Sequence, residues 1–350
     1  MSQAKNAVGA DRRYWGAIPV MPGQQLLDTA KLMEDVGYTG AFAFQVFGPP
    51  FIPLAVAAAA TTRLQVASGI AIAGTRSPFE TAMAAMDVDR ISGGRFILGL
   101  GSSAPTWTQD IFGTPAYKPI AHLRDTVAAV RHIIAGAHKG LQPYEGEYFK
   151  ATFKELKPTD PPVRTEIPIW VAAMREKLLR MGVEVADGVI GHPMWSSNWA
   201  VNEMGPVIDD ALKKCGRERS SLEVNVWPWV AINNDRKQAI EDARGTVGFY
   251  ASASVYDSFF DAHGFLAEAK ACQSEIKQGV DVEALKKHVP DEMVETFAAC
   301  GPIDEVAEKV EPYWNIADSM CPTPPIWGLP EEKVQAYSRA LVGFVQAQTS

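Results

Sequence analysis

Apolar residues recur along this chain in two rhythms that take turns. Short, densely apolar runs of strand length alternate with longer stretches that place apolar residues every three or four positions, as one face of a helix does. Tyr14 to Val20 is the first run, and Leu26, Leu27, Ala30, Met33 and Val36 then predict a helix that Gly37 ends. Ala41 to Phe44 predicts a second strand, followed by an Ala-rich helix from Phe51 to Thr61 and a third strand from Leu64 to Ile70. Ser77-Pro78-Phe79-Glu80 combines a hydroxyl cap, a proline at the first helical position and a carboxylate three residues past the cap, which start a helix running to Ile91. Arg95 to Leu100 gives the fourth strand, and a long loop delays its helix to Ala121–Ala135. A polar, hairpin-like insertion at Pro143–Lys157 precedes the fifth strand, Ile167–Ala173, and its helix, Glu176–Ala186. Gly188–Gly191 is a short sixth strand, Asn198–Lys214 a helix, Leu222–Ile232 the seventh strand, and another helix begins at Asp235. From Gly245 to Pro290 the pattern stays helical for longer than a connection needs. A helix at Ile303–Tyr313, a weak strand near Ala317–Cys321 and a helix at Glu331–Val345 complete the series.

Strand and helix alternate without a break in composition, which predicts an α/β fold with a parallel sheet. Eight such units predict one (β/α)8 TIM barrel domain over residues 1–350, with insertions after strand 4, before strand 5 and after strand 7. The last is a helical insertion at about 245–295. Chemistry in this fold sits at the C-terminal ends of the strands, so the segments of interest are Gln45–Pro50, Ser68–Arg76, Gly101–Thr114, Ala172–Lys177 and Gly191–Ser197.

Composition narrows the partners. Lys and Arg number 33 against 41 Asp and Glu, a net charge of −8, and 47% of residues are hydrophobic, which describes an acidic, well-cored globular chain. No run approaches the roughly 20 apolar residues needed to span a bilayer, and Met1–Arg13 lacks a secretory pattern, so a cytoplasmic protein without membrane contact is expected. Basic residues are scattered, which argues against nucleic acid and for a small-molecule substrate. Cys215, Cys272, Cys300 and Cys321 lie too far apart for a zinc site or a redox dithiol, so no metal is expected.

Gly99-Leu100-Gly101 at the end of the fourth strand lets the backbone approach either a flat ligand or a neighbouring strand. Within the longer run Asp87-Val-Asp-Arg-Ile-Ser-Gly-Gly-Arg-Phe-Ile-Leu-Gly-Leu-Gly101, preceded by Ser68-Gly69-Ile70 and Thr75-Arg76-Ser77-Pro78, it resembles the bacterial luciferase-like superfamily of flavin- or deazaflavin-dependent oxidoreductases. Pro168-Ile-Trp-Val-Ala-Ala173, Ala186-Asp-Gly-Val-Ile190, Gly216-Arg217 and Gly301-Pro-Ile-Asp-Glu-Val306 extend the similarity over residues 14–345. Phe51-Ile-Pro-Leu-Ala and Gly191-His-Pro193 are similar to the branch assigned to the deazaflavin coenzyme F420.

The resemblance implies a homodimeric barrel that transfers hydride between coenzyme F420 and a small, largely apolar organic substrate. The alternatives are an FMNH2-dependent monooxygenase, with FMN as cofactor, and a non-catalytic flavin- or ligand-binding barrel. It also implies a non-proline cis peptide at Gly69–Ile70, with Ser68 beside it and Gly101 and Ser102 nearby, supporting the cofactor ring. Cofactor contacts after the fifth strand fall on Ala173, Met174, Arg175 and Lys177, where relatives commonly carry Gly-Pro; the two basic residues are either phosphate ligands or a solvated helix start. Candidate catalytic positions are Gln45, His192 and Trp107. Gln45 stands where relatives often carry an acid/base group, and its amide can orient a substrate but cannot exchange a proton at neutral pH. His192 is either an acid/base group or a loop histidine bonded to backbone, and Trp107 is a wall for ring or substrate.

Overall fold

The structure, a computed structural model, describes residues 12–349, so residues 1–11 of the Met1–Arg13 reading lie outside the described residues. Eight parallel strands follow one another in chain order around a ring: β1 (Arg13–Ala17), β2 (Gly40–Ala43), β3 (Gln65–Ser68), β4 (Phe96–Gly101), β5 (Ile169–Ala173), β6 (Gly188–Gly191), β7 (Glu223–Val226) and β8 (Ser319–Met320). The pairing of Arg13 with Ser319 joins last strand to first, and Val66 opposite Phe96 joins β3 to β4, so the sheet has no open edge. The (β/α)8 barrel expected from the sequence is what forms.

The barrel is filled rather than hollow. Trp15 and Phe42 pack at 4.5 Å between ring centroids, Trp15 and Trp170 at 5.3 Å, and Ala67, Ile97, Ile190 and Cys321 complete this inner plug. A larger apolar layer between strands and helices surrounds it. Burying such side chains fully stabilises the fold by roughly 1.5–3 kcal/mol each.

Two arginines from the segments flanking β4 clamp the shell. Arg95 donates to the carbonyls of Ala58, Thr61 and Leu64, satisfying the orphan end of the helix Phe51–Ala60. Arg164 makes a forked contact with the buried carboxylate of Asp89, at 2.7 and 3.0 Å, and donates to the Phe96 carbonyl. The helix Pro78–Ser92 begins with the Ser77 hydroxyl accepting from the Glu80 N–H at 3.1 Å, as its motif predicts.

The insertions fall where expected. The chain between β4 and the helix Pro119–Gly136 carries one π-type turn, Thr106–Ile111, and Tyr144–Glu145 pairs with Lys150–Ala151 as a hairpin before β5. After β7 the helices Arg236–Ala251, Asp257–Ala262, Leu266–Lys277, Val282–Leu285 and Asp291–Phe297 pack on a separate apolar cluster. Two readings need correction. The expected seventh strand breaks at Trp227-Pro228, because proline cannot donate to a ladder, and resumes as Trp229–Ile232. That resumed strand pairs in parallel with Ala298–Gly301, a strand of small residues that the sequence reading passed over. No helix among the described residues is long and apolar enough to cross a membrane.

Candidate active site

A cavity of about 420 Å³ opens at the C-terminal ends of the strands, a size typical of ligand sites. One wall comes from β3 and β4 and the segments that follow them: Gly69, Ile70, Gly101, Ser102 and Trp107. The facing wall comes from Ala173 at the end of β5 and Met174 after it, His192 after β6, Trp227 after β7, and Val255 and Tyr256 from the late helical excursion.

On the first wall the Gly69–Ile70 peptide is cis, as the resemblance implies. Ser68 lies behind it rather than in the cavity: its hydroxyl accepts from the Gly99 N–H at 2.9 Å and donates to the Gly99 carbonyl at 2.8 Å. Of the paired glycines, Gly99 makes the close strand approach, while Gly101 seats the Ile70 side chain and lines the cavity. A Cβ on Gly99 would lie 1.8 Å from the Ser68 carbonyl oxygen, and one on Gly101 would lie 2.2 Å from the Ile70 side chain. Ile70 thus seats on Gly101 and shares the cavity wall with it. Ser103, next along, takes φ of 57°, a left-handed conformation uncommon outside glycine, where the chain leaves β4.

Trp107 is a wall residue whose polar edge is already committed: its indole N–H donates to the Val46 carbonyl at 3.1 Å. The bond ties the loop after β4 to the loop after β2, and the Phe47 ring lies 6.2 Å from Trp107. Gln45 is not brought into the cavity. Its Oε1 accepts from the Ile72 N–H at 2.9 Å and from Arg76 at 2.8 Å, and its Nε2 donates to Thr75 at 3.2 Å. This buried amide is bonded to residues 72, 75 and 76, fixes that loop and stands outside the cavity lining.

On the second wall Ala173 and Met174 line the cavity, held by the Trp195 indole N–H, which donates to the Met174 carbonyl at 2.9 Å. Arg175 and Lys177 are exposed and stand outside the lining. Arg175 turns instead to the carbonyl of Val255, so its charge lies beside Tyr256. The reading of both basic residues as phosphate ligands therefore lacks a cavity-facing side chain. A helix start after a strand does not say which way its long side chains lean, and of the two alternatives open for these residues their exposure favours the solvated helix start.

His192 does line the cavity. Its Nδ1 accepts from the Met194 N–H at 3.1 Å, which places the proton of the neutral ring on Nε2, and Nε2 faces the Tyr256 hydroxyl at 3.4 Å. Burial pushes the imidazole pKa down to about 3, so the ring is neutral at physiological pH. Burial pushes the Tyr256 phenol up to about 12, and the Arg175 charge opposes that rise. Tyr250 completes an aromatic set, its ring 5.0 Å from Tyr256 and 5.8 Å from His192.

Tyr256, Val255 and Trp227 were missed as site residues. The signal in reach was the cluster Phe249, Tyr250, Tyr256, Phe259 and Phe260 in an excursion otherwise read only as excess helix. Trp227 reaches the cavity, with its N–H donating to Asn225 Oδ1 at 2.6 Å.

The luciferase-like monooxygenase family model matches residues 4–319. An uncharacterized protein of Mycobacterium tuberculosis is 32% identical over 287 residues, 80% of this chain and 84% of that protein. The 5,10-methylenetetrahydromethanopterin reductase of Archaeoglobus fulgidus is 28% identical over 302 residues, 84% of this chain and 87% of that one. Among solved structures, the coenzyme F420 dependent tetrahydromethanopterin reductase from Methanopyrus kandleri superposes with a TM-score of 0.78 over 97% of this chain and 98% of that chain; at 22% identity this is a likeness of fold. With the family model covering most of its length, and with a ligand-sized cavity at the mouth of a closed parallel barrel, the chain belongs to the luciferase-like monooxygenase family and is an oxidoreductase.

Proposed function

We propose that the protein transfers hydride between the deazaflavin coenzyme F420 and a small, largely apolar organic substrate, as a single-domain barrel over residues 1–350 working as a cytoplasmic homodimer. The observation that carries this reading is the mouth cavity, where the cis Gly69–Ile70 segment and a mainly apolar lining meet a few polar groups. Relatives named as reductases, one of similar fold named as F420 dependent, support the choice of cofactor.

The residues present fit the ring portion of such a cofactor. Ile70, Met174, Trp107 and Trp227 offer flat or adaptable apolar surface, and Ser102 and Ser103 offer hydroxyls at the rim. A basic phosphate cradle is not part of that lining, so a phosphate end would have to be held by backbone donors or by residues outside it.

When bound, the deazaflavin supplies or takes up hydride. The chain does the rest. Gly69 and Ile70 would give a bound ring apolar surface on one wall, while Trp107, tied to Val46, would close one side against water. Met174 gives a surface that adapts to the substrate. His192, held neutral, presents an uncharged N–H toward Tyr256 and adds no cation to an apolar site.

A second reading, an FMNH2-dependent monooxygenase, is favoured by the family model's own description. Titrating the protein separately with F420 and FMN, followed by fluorescence, distinguishes the two. Micromolar binding of F420 without oxygen consumption supports the leading reading. Tight binding of FMN with oxygen consumption replaces it by the second, and binding of neither favours a barrel without this chemistry.

A further inference from the structure

The second wall of the cavity holds a proton donor. We infer that Tyr256 is the general acid/base of the reaction, that the substrate is accordingly a carbonyl compound or the corresponding alcohol, and that His192 and Arg175 are positioning residues acting through Tyr256. The inference rests on the proposed deazaflavin chemistry and goes beyond it by naming the proton carrier and the reacting group.

Hydrogen-bond direction decides where the protons lie. His192 Nδ1 is occupied by the Met194 N–H, so its Nε2–H donates to the Tyr256 oxygen. A hydroxyl whose oxygen already accepts keeps its own hydrogen for another partner, and among the described residues no protein group accepts it. Tyr256 and His192 both line the mouth cavity, so a bound molecule with an acceptor oxygen meets that hydrogen.

Burial raises the Tyr256 pKa to about 12 and so keeps the phenol protonated as a donor, and two features oppose that rise when the proton leaves. The Nε2–H of His192 donates to the phenolate as it forms, and the guanidinium of Arg175, anchored on the carbonyl of the adjacent Val255, stands nearby as a positive charge. Tyr250 packs its ring edge-on against Tyr256 and fixes its plane. The other candidate site residues supply no proton: Gln45 is an amide bonded to its own loop, and the Trp107 N–H is bonded to Val46.

In the reducing direction the carbonyl carbon accepts hydride from the reduced deazaflavin, and the π pair of the C=O bond moves to oxygen. That oxygen forms a bond to the Tyr256 proton as the phenol O–H bond breaks. The product is an alcohol and oxidised deazaflavin, and the phenolate recovers its proton from solvent. Run backward, the phenolate removes the alcohol proton as hydride leaves carbon.

The test uses the full-length protein, oxidised F420 and carbonyl-labelled cyclohexanone as the probe, with wild type, Tyr256→Phe and His192→Gln. F420 titration comes first: equal affinity in wild type and Tyr256→Phe is expected, and wild type failing to bind F420 would sink the function proposed above rather than the placement of Tyr256. Infrared difference spectra of the probe on the F420-loaded protein then read the hydrogen bond directly. A carbonyl stretch lowered in wild type and restored to its free frequency in Tyr256→Phe supports the inference. An unshifted stretch in wild type, no probe binding, or a shift that survives in Tyr256→Phe each overturns it. Reoxidation of reduced F420 by cyclohexanone should fall about a hundredfold in Tyr256→Phe, the lower range for loss of a general acid, and less in His192→Gln, whose amide can still donate. Nitrogen-15 spectra of His192 should show the Nε2–H tautomer in wild type; the opposite tautomer would remove the basis of the argument.

Discussion

The two walls of the cavity are built by different means. The wall from β3 and β4 is made of adjacent barrel strands in fixed register, with the Ser68 hydroxyl bonded twice to Gly99 and no room between the strands for even a methyl group. The facing wall is assembled from separate excursions, among which His192, Arg175 and Tyr256 meet through single contacts. The first is a rigid bed whose geometry the barrel determines, and the second carries the groups able to exchange or direct a proton. The difference teaches that in this fold a strand-built wall can be tuned only at the cost of the fold, whereas the excursion-built wall can change its chemistry while the barrel stands.

Substitutions on the two walls should therefore separate stability from turnover. Gly99→Ala should have the largest effect on folding, roughly 3 kcal/mol, the upper end for overpacking, because its Cβ meets a backbone oxygen that cannot swing away; denaturant melts measure it. Tyr256→Phe should do the reverse, lowering stability by only about 1 kcal/mol through the lost acceptor for His192 while turnover collapses. Gln45→Ala, which strips partners from the Ile72 N–H and from Arg76, should cost about 2 kcal/mol and should raise hydrogen exchange at residues 71–76. Trp107→Phe keeps the ring but loses the bond to Val46, a change of about 1 kcal/mol that should appear as weaker F420 binding rather than as a lower midpoint.

A further effect is one of pH. Burial lowers the His192 pKa from 6.5 to about 3, so between those values the unfolded chain binds a proton that the folded one refuses. The contribution of neutral His192 to stability is full above about 6.5 and is lost as pH falls toward 3. His192→Gln should flatten that acid limb in a pH series of thermal melts, and an unchanged limb would count against the buried, neutral ring.

What the sequence disclosed follows the same division. The strands of the rigid wall were legible because each is an apolar run of strand length between turn residues, and Gly69, Ile70, Gly101 and Ser102 fall at their ends. Motif residues that carried the family resemblance, Asp89 and Arg95, prove to be clamps on the barrel shell, which explains why they mark the fold so well and the chemistry so little. Tyr256 was not legible, since its position depends on a helical excursion folding back across the mouth, a contact with no local periodicity. Arg175 was legible as a charge but not as a direction, because the carbonyl it chooses belongs to Val255, 80 residues away in sequence. Ala298–Gly301 escaped notice because its small residues lack the bulk that announces a strand.

The central claim is that these two walls form one site, with a ring bed on one side and a proton donor on the other. A crystal structure of the protein with F420 tests it most directly. The account expects the deazaflavin ring to lie on the Gly69–Ile70 segment, within the cavity that Tyr256 and His192 close. A ring bound elsewhere on the barrel, or one seated with Tyr256 turned away from the cavity, would contradict it.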